Sequence, residues 1–382
     1  MWQAEVIGAM TTNHLDALRS WVAQQLGLSA PELEFIAGDA SPRQYYRVGC
    51  LTASQLGVSS CIVMVSPPSE NNEAFLHVGR CLASAGVQTP KVLAQAAERG
   101  WFLLEDFGDV QLLSVLNTES ASSHYRQALD VLIKQVQLPT KDAGIPNYTA
   151  SRLNDELSLF SEWFLPRLLN VTVSESIMAG FAALSEYLII SALEQPQVWV
   201  HRDFHSRNIM VREADLGIID FQDAVVGPIT YDPVSLLKDC YIRWPRDQQL
   251  TWLENYYDQL QSIGHSSHGM DGSLSIQASD GSRLNLLEGV SKARFEHWFD
   301  LMGLQRHLKV LGIFARLHIR DHKSAYLDDL PLVVEYVREA LAVTVNTNGS
   351  IADFRQWFEQ ELMPVVRGQY WYRPIDPAGW AL

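Results

Sequence analysis

The sequence predicts an α+β chain of two lobes, a small antiparallel sheet with a helix followed by a mainly helical lobe. Three observations predict it. The first hundred residues hold short β-prone runs broken by turn residues and interrupted by one helical stretch. From about Asp109 onward the apolar spacing is helical. Within that helical half, residues 198–219 alone revert to strand, polar loop and strand.

The chain has 382 residues, 47% hydrophobic and 19% charged. That is the makeup of a globular protein with a core, and it excludes disordered, collagenous and small disulfide-stapled classes. The length exceeds what one core fills, which fits two lobes. In order, Leu15, Leu18, Trp21, Val22 and Leu26 lie at helical spacing before Gly27 and predict a helix over 12–26. Strands are expected at Phe35–Ala37, Tyr45–Val48, Cys61–Val65, Val92–Ala94 and Trp101–Leu104, with a helix at Asn71–Ala85. A crossing near 104–109 divides an N-terminal lobe, 1–105, from a C-terminal lobe, 106–382.

In the second lobe, helices are expected near 121–137, 151–168, 175–193, 232–243, 247–261, 288–320 and 328–344. Val198–Val200, Ile209–Val211 and Leu216–Ile219 read as strands flanking two tight loops, a small embedded hairpin. Residues 262–285 hold seven Ser and four Gly without apolar periodicity and read as a flexible surface insertion. His265 and His268 within it have a spacing that could hold a metal, but the composition favours a solvated loop.

Lys plus Arg is 29 against 44 Asp plus Glu, a net charge of −15. Such a chain repels a phosphate backbone and an anionic bilayer, so neither nucleic acid nor membrane is an expected partner. Cys50, Cys61, Cys81 and Cys240 form no Cys-x-x-Cys pair and read as reduced thiols. The N-terminus lacks a basic start, and no stretch reads as approaching the roughly 18 apolar residues of a spanning helix. A soluble cytoplasmic protein is expected.

The chemistry concentrates in VWVHRDFHSRNIMV, Val198–Val211, followed by LGIIDFQDA, Leu216–Ala224. Asp203 and Asn208 are five apart, and Asp220 lies twelve further on, beyond the hairpin. Phosphoryl transfer asks for this set: a carboxylate to orient and finally deprotonate the attacking hydroxyl, and an amide oxygen with a second carboxylate to hold Mg²⁺ on the nucleotide phosphates. Taken singly, Asp203 or Asn208 caps a turn and Asp220 ends a strand. Together they are harder to explain so, because an Asp closing an apolar strand is costly unless a cation meets it.

His-Arg-Asp with Asn five after the Asp, then Ile-Asp-Phe, matches kinase catalytic and metal-binding loops. Position 205 is His where a protein kinase carries Lys, Gln222 replaces a Gly, and no Ala-Pro-Glu segment follows. The segment therefore resembles the aminoglycoside phosphotransferase and choline kinase-like superfamily, whose pattern is His-x-Asp-x-x-x-x-Asn followed by Ile-Asp-Phe or Ile-Asp-Trp. The resemblance implies a two-lobed protein-kinase-like fold, with a nucleotide-binding first lobe and a second lobe for catalysis and acceptor binding. It implies that His201 braces the loop, Asp203 is the catalytic base, and Asn208 and Asp220 bind metal. Three longer blocks, Leu103–Asp109, Ile218–Tyr241 and Phe299–Pro331, are similar to the anomeric kinases of bacterial cell-wall recycling, which act on N-acetylmuramate and N-acetylglucosamine. That likeness implies ATP, Mg²⁺ and an amino-sugar acceptor.

On the nucleotide side the pattern departs from the family. No Gly-x-Gly occurs, so the phosphate cover is sought in GDASPRQYYRV, Gly38–Val48, where Ser41 and nearby backbone could donate and Arg43 or Arg47 supply charge. An ordinary hairpin turn is the competing reading. Met64 stands where a third-strand lysine is expected, leaving Glu73 without a partner, and Arg43 is expected to substitute. Glu105–Gly108, with Phe107, are expected to read adenine through backbone groups.

On the acceptor side, Arg306, Lys309, Arg316 and Arg320 fall within one quadrant of a helical wheel. The stripe meets either a substrate carboxylate or phosphate, or only solvent. Asp223 and Asp232 lie near the metal loop and could touch metal or sugar hydroxyls, although Asp232 before Pro233 also fits a helix cap. The rivals to an amino-sugar kinase are a kinase for another small hydroxyl compound and a non-catalytic kinase-fold binding protein.

Overall fold

The computed structural model describes residues 12–37, 42–49, 56–213, 215–265 and 286–375. The chain forms two compact units: Met1–Val110 with Met210–Gln222, and Gln111–Ile209 with Asp223–Leu382.

In the first unit, α1 (Thr12–Leu26) lays Leu18, Val22 and Leu26 on a core that includes Val48, Cys61, Val63, Trp101 and Leu103. Burial of each such aliphatic side chain is worth about 1.5–3 kcal/mol. The strands follow as β1 (Glu34–Ala37), β2 (Gln44–Gly49), β3 (Ser60–Val65), β4 (Val92–Ala96) and β5 (Trp101–Glu105), with α2 (Asn72–Ser84) between β3 and β4. They form one antiparallel sheet in the order β1-β2-β3-β5-β4. Period-two alternation sends Cys61 and Val63 of β3 toward α1, while Met64 pairs across from Tyr45 and Phe102 and is fully buried. Asn71 caps α2 by accepting the N–H of Ala74.

The second unit opens with α3 (Leu112–Val115), α4 (Ala121–Gln135) and α5 (Ala150–Leu159). The last runs on in wider π-type turns through Leu168, a stretch that contains Pro166, whose missing N–H cannot serve an ordinary helical ladder. Next come α6 (Glu175–Leu193) and β6 (Gln197–Val200). The hairpin β7 (Ile209–Val211) and β8 (Leu216–Ile218) then returns the chain to the first unit, where Val211 N–H bonds to Val110 O at 2.7 Å and Ile218 N–H to Gln88 O at 2.8 Å. The second unit resumes with β9 (Val225–Pro228), α7 (Tyr231–Leu237), α8 (Arg246–His265), α9 (Lys292–Asp321), α10 (Leu330–Thr344) and α11 (Gly349–Trp357), which continues into α12 (Met363–Arg367). Its core is built around α9, whose Leu304, Leu308, Leu311 and Phe314 pack with residues of the α5 extension, α6, α10 and α11. Gly312 lets α9 approach α5 closely, because a Cβ there would lie 2.3 Å from the carbonyl carbon of Leu159.

Several expectations need correction. β6 is not part of the hairpin: it pairs antiparallel with β9, Val198 opposite Gly227. The helix expected over 232–243 ends at Leu237. Residues 262–265 of the expected insertion belong to α8, and 266–285, with His268, lie outside the described residues. α6 is long and apolar enough by length and composition to cross a membrane, contrary to the expectation of no such stretch. It buries Phe181, Leu184 and Leu188 in the core of the second unit.

Candidate active site

The loop from His201 to Asn208 is held from both ends by two buried carboxylates on and just after α7. Asp232 accepts the N–H of His201 at 2.7 Å and of Arg202 at 3.0 Å, and takes a third bond from Gln135 Nε2 at 2.7 Å. Asp239 accepts the N–H of Ser206 at 2.9 Å and its hydroxyl at 2.5 Å. Between these anchors His201 Nδ1 lies 3.2 Å from the N–H of Asp203, and the Asp203 carbonyl accepts from His205 N–H and Asn208 Nδ2, each at 3.0 Å. The nitrogen end of the Asn208 amide is thus the end spent on the loop. Arg202 sits at φ 77°, a left-handed conformation costly for a residue with a Cβ, which the two Asp232 bonds and an ion pair with Glu156 hold in place.

Behind the loop lies a buried charge network. Glu156 accepts from Arg202 and Tyr148 and lies 3.2 Å from Lys309 Nζ, which also donates to the Tyr231 hydroxyl at 2.9 Å. Arg306 Nε donates to Ser235 Oγ at 2.7 Å, and that oxygen lies 3.5 Å from the carbonyl of Arg202. Burial by itself would raise the Asp203 carboxyl, but the positive field of Lys309, Arg202, His205 and Arg306 prevails and holds it down at about 2. Burial pushes the His205 imidazole down, which favours its neutral form.

The basic stripe on α9 therefore divides. Arg306 and Lys309 are 4% and 6% exposed and turn inward, whereas Arg320 is exposed and paired with Asp321. Asp232 is neither a helix cap nor a surface for substrate: it is 3% exposed, lies inside α7, and its oxygens are occupied by the loop. Asp223 is exposed, and its carbonyl accepts from Arg202 Nη1 at 3.5 Å.

In the first unit Asp220 follows β8 at φ 64° and accepts from Gln222 Nε2 at 2.8 Å. Phe221 stacks on Phe75 of α2, centroids 5.2 Å apart. Arg43 does not meet Glu73. It is 1% exposed, donates through Nε to Ser66 Oγ at 3.1 Å and lies 3.6 Å from Glu70, tying β2 to the β3–α2 turn, while Glu73 is exposed with no ion-pair partner among the described residues. Arg47 is likewise committed, to Asp106 at 2.8 Å and to Asp109. Glu105 accepts from Arg212 at 3.2 Å, and the Phe107 ring lies against Gly217, where a Cβ would come within 2.4 Å of it. Ser41 lies outside the described residues. A groove of about 510 Å³ between α2 and β4 is lined by Phe75, Gly79, Arg80, Lys91, Val92 and Phe221 among others, and by none of the candidate nucleotide residues.

No cluster of three or more His, Cys, Asp or Glu side chains poised for a metal occurs among the described residues. The donors that Asn208 and Asp220 offer are amide and carboxylate oxygens, the hard ligands that suit Mg²⁺, which keeps waters and takes few protein ligands. Sequence reading missed Asp239, Glu156, Gln135 and Tyr148. Asp239 lies 33 residues from Ser206 and Glu156 lies 46 from Arg202, so no local spacing could have revealed them.

A five-stranded antiparallel sheet carrying one helix, a helical unit, and a His-Arg-Asp loop pinned by buried carboxylates define a protein-kinase-like phosphotransferase. The chain belongs to the phosphotransferase enzyme family, whose model matches residues 32–269, more than half of the chain. It is 37% identical over 340 residues to the N-acetylmuramate/N-acetylglucosamine kinase of Pseudomonas putida, covering 86% of this chain and 91% of that one. The enzyme of the same name from Pseudomonas aeruginosa is 38% identical over 325 residues, covering 84% and 88%. Among solved structures, choline kinase from Cryptosporidium parvum superposes with a TM-score of 0.58 at 10% identity, covering 91% of this chain and 100% of that one. The GDP complex of aminoglycoside 2'-phosphotransferase-IIIa gives 0.53 at 12%, covering 87% and 99%. At such identities the likeness shows the fold.

Proposed function

We propose that the protein transfers the terminal phosphoryl group of ATP to the anomeric hydroxyl of N-acetylmuramate, N-acetylglucosamine or both, in the cytoplasm as a step of peptidoglycan recycling. The observation that carries the reading is the Asp203 carboxylate, ionised and set among cations in a loop fixed at both ends. The relatives' names supply the acceptor.

Asp203 orients the acceptor hydroxyl and receives its proton. With its proton affinity so low, the carboxylate is a weak base. Orienting the hydroxyl is its larger task, which suits a loose transition state and an acidic anomeric hydroxyl. Asn208 and Asp220 would hold Mg²⁺, which when bound neutralises charge on the phosphates. His201 acts on Asp203 through its N–H and is a positioning residue. Asp223 remains a candidate for metal or sugar contact, and the backbone of Glu105 and Phe107 for adenine.

A kinase for a cationic acceptor such as choline is the alternative. The three cations that act on Asp203, Lys309, Arg202 and Arg306, oppose it, since a second positive charge would be repelled there. The test is ADP release by wild type and Asp203→Asn with ATP, Mg²⁺ and each of N-acetylmuramate, N-acetylglucosamine, kanamycin and choline. Turnover on the sugars, lost in the variant, supports the reading. Turnover only on choline or kanamycin overturns it.

A further inference from the structure

We propose that Arg306 is the seat of an oxyanion carried by the acceptor, the carboxylate that N-acetylmuramate has and N-acetylglucosamine lacks. The inference rests on the function proposed above.

Around Asp203, Arg202 Nε and His205 Nδ1 are single buried atoms without a partner, whereas a two-pronged unpartnered group occurs only at Arg306 among the described residues that act on Asp203. Of the groups acting on Asp203, Arg202 pairs with Glu156, Lys309 binds Glu156 and Tyr231, and His205 lies edge-on to Tyr241 and beside the Asn208 amide. Arg306 differs. Its Nε donates to Ser235, but its two terminal amino groups meet no acceptor among the described residues, although the side chain is only 4% exposed.

The nearby carboxylates cannot supply one. Glu156 serves Arg202, Lys309 and Tyr148, Asp232 serves the amides of His201 and Arg202, and Asp239 serves Ser206. Neither terminal nitrogen of Arg306 is sealed from solvent, so both are open to a ligand. The planar fork of the guanidinium matches a carboxylate or phosphate that presents two oxygens. The fork is also pre-set, since Ser235 holds Nε and the guanidinium lies 5.9 Å from the Tyr231 ring, both on α7. Through Ser235 it stands two contacts from the Arg202 carbonyl, next to Asp203 in the chain. An anion there belongs to a molecule whose reacting hydroxyl Asp203 handles, or to the phosphoryl group in transfer.

Kinetics and calorimetric titration with N-acetylmuramate, its methyl ester and N-acetylglucosamine separate these sources. For the wild type the ester should show KM and Kd raised about tenfold over the free acid, the loss of one charge-assisted pair. In Arg306→Met, beyond any loss that the changed field at Asp203 imposes on both sugars alike, the acid should fall to the level of the ester so that the acid-to-ester difference closes, and Arg306→Lys should recover part of that difference. Equal binding of acid and ester by the wild type overturns the proposal without any variant. An equal loss on both sugars also overturns it and makes Arg306 a positioning residue for Asp203, while a rise confined to the KM for ATP assigns it to the nucleotide's phosphates. A wild type that turns over neither sugar but accepts choline defeats the proposed function itself, and the proposal with it.

Discussion

The Asp232 carboxylate accepts the backbone N–H of His201 through one oxygen at 2.7 Å and that of Arg202 through the other at 3.0 Å. A single side chain thereby fixes the two peptides that lead into Asp203, including the left-handed one at Arg202. Asp232→Ala strips three donors, two of them buried, of their acceptor and is expected to cost about 3–5 kcal/mol in urea unfolding, with a fall in kcat beyond what the loss of folded protein explains. Wild-type kcat in that variant, corrected for folded fraction, would remove Asp232 from loop positioning.

The Asp203 carboxyl is depressed to about 2 from an ordinary value of 3.8. Its folded pKa is the lower one, so the stabilisation is present above the ordinary value and is lost as pH falls through the folded one. Asp203→Asn should therefore be less stable than wild type by up to about 2 kcal/mol at pH 7, the gap holding to pH 5 and narrowing below about 4. Activity should drop by about 10²–10⁴. The acid limb of the wild-type kcat/KM profile should not show an Asp203 ionisation above pH 4. A limb near pH 6 that disappears in Asp203→Asn would contradict this.

Lys309 and Arg202 share Glu156, and burial alone would raise that carboxyl, yet the two cations hold it below the ordinary range. Lys309→Met removes one partner of a buried group and should destabilise the protein by about 3 kcal/mol. Glu156→Gln should cost less when added to Lys309→Met than in the wild type, because only Arg202 then loses its partner. Additive losses in the double variant would show that the pair is not coupled.

Gly217 admits the Phe107 ring, which an added Cβ would meet at 2.4 Å. Gly217→Ala should lower Tm through overpacking worth about 1–3 kcal/mol, and Phe107→Leu should relieve it in the double variant. No rescue would place the constraint elsewhere.

What the sequence disclosed depended on whether the signal was local. Strands in the first unit were legible because Cys61, Val63 and Val65 alternate around turn residues, and α6 because its helical run is flanked by Ser174 and Pro196. β9 escaped notice because Val225–Pro228 is short and contains both Gly227 and Pro228, so only its pairing with β6 makes it a strand. Asp203, Asn208 and Asp220 stood out by their spacing, but their surroundings did not. Whether Arg43 meets Glu70 or Glu73, and whether Arg306 turns inward, depends on helix rotation and packing across many residues of chain. Asp232 was visible as a residue, while its task was fixed only when α7 came to lie beside the loop.

The most direct test of the account is phosphorus NMR of the product formed by the purified protein from ATP, Mg²⁺ and N-acetylmuramate or N-acetylglucosamine. The account predicts a sugar phosphate whose phosphorus couples to the anomeric proton, formed by wild type and not by Asp203→Asn. A product phosphorylated at another hydroxyl, or transfer to choline or kanamycin with neither sugar consumed, would contradict it.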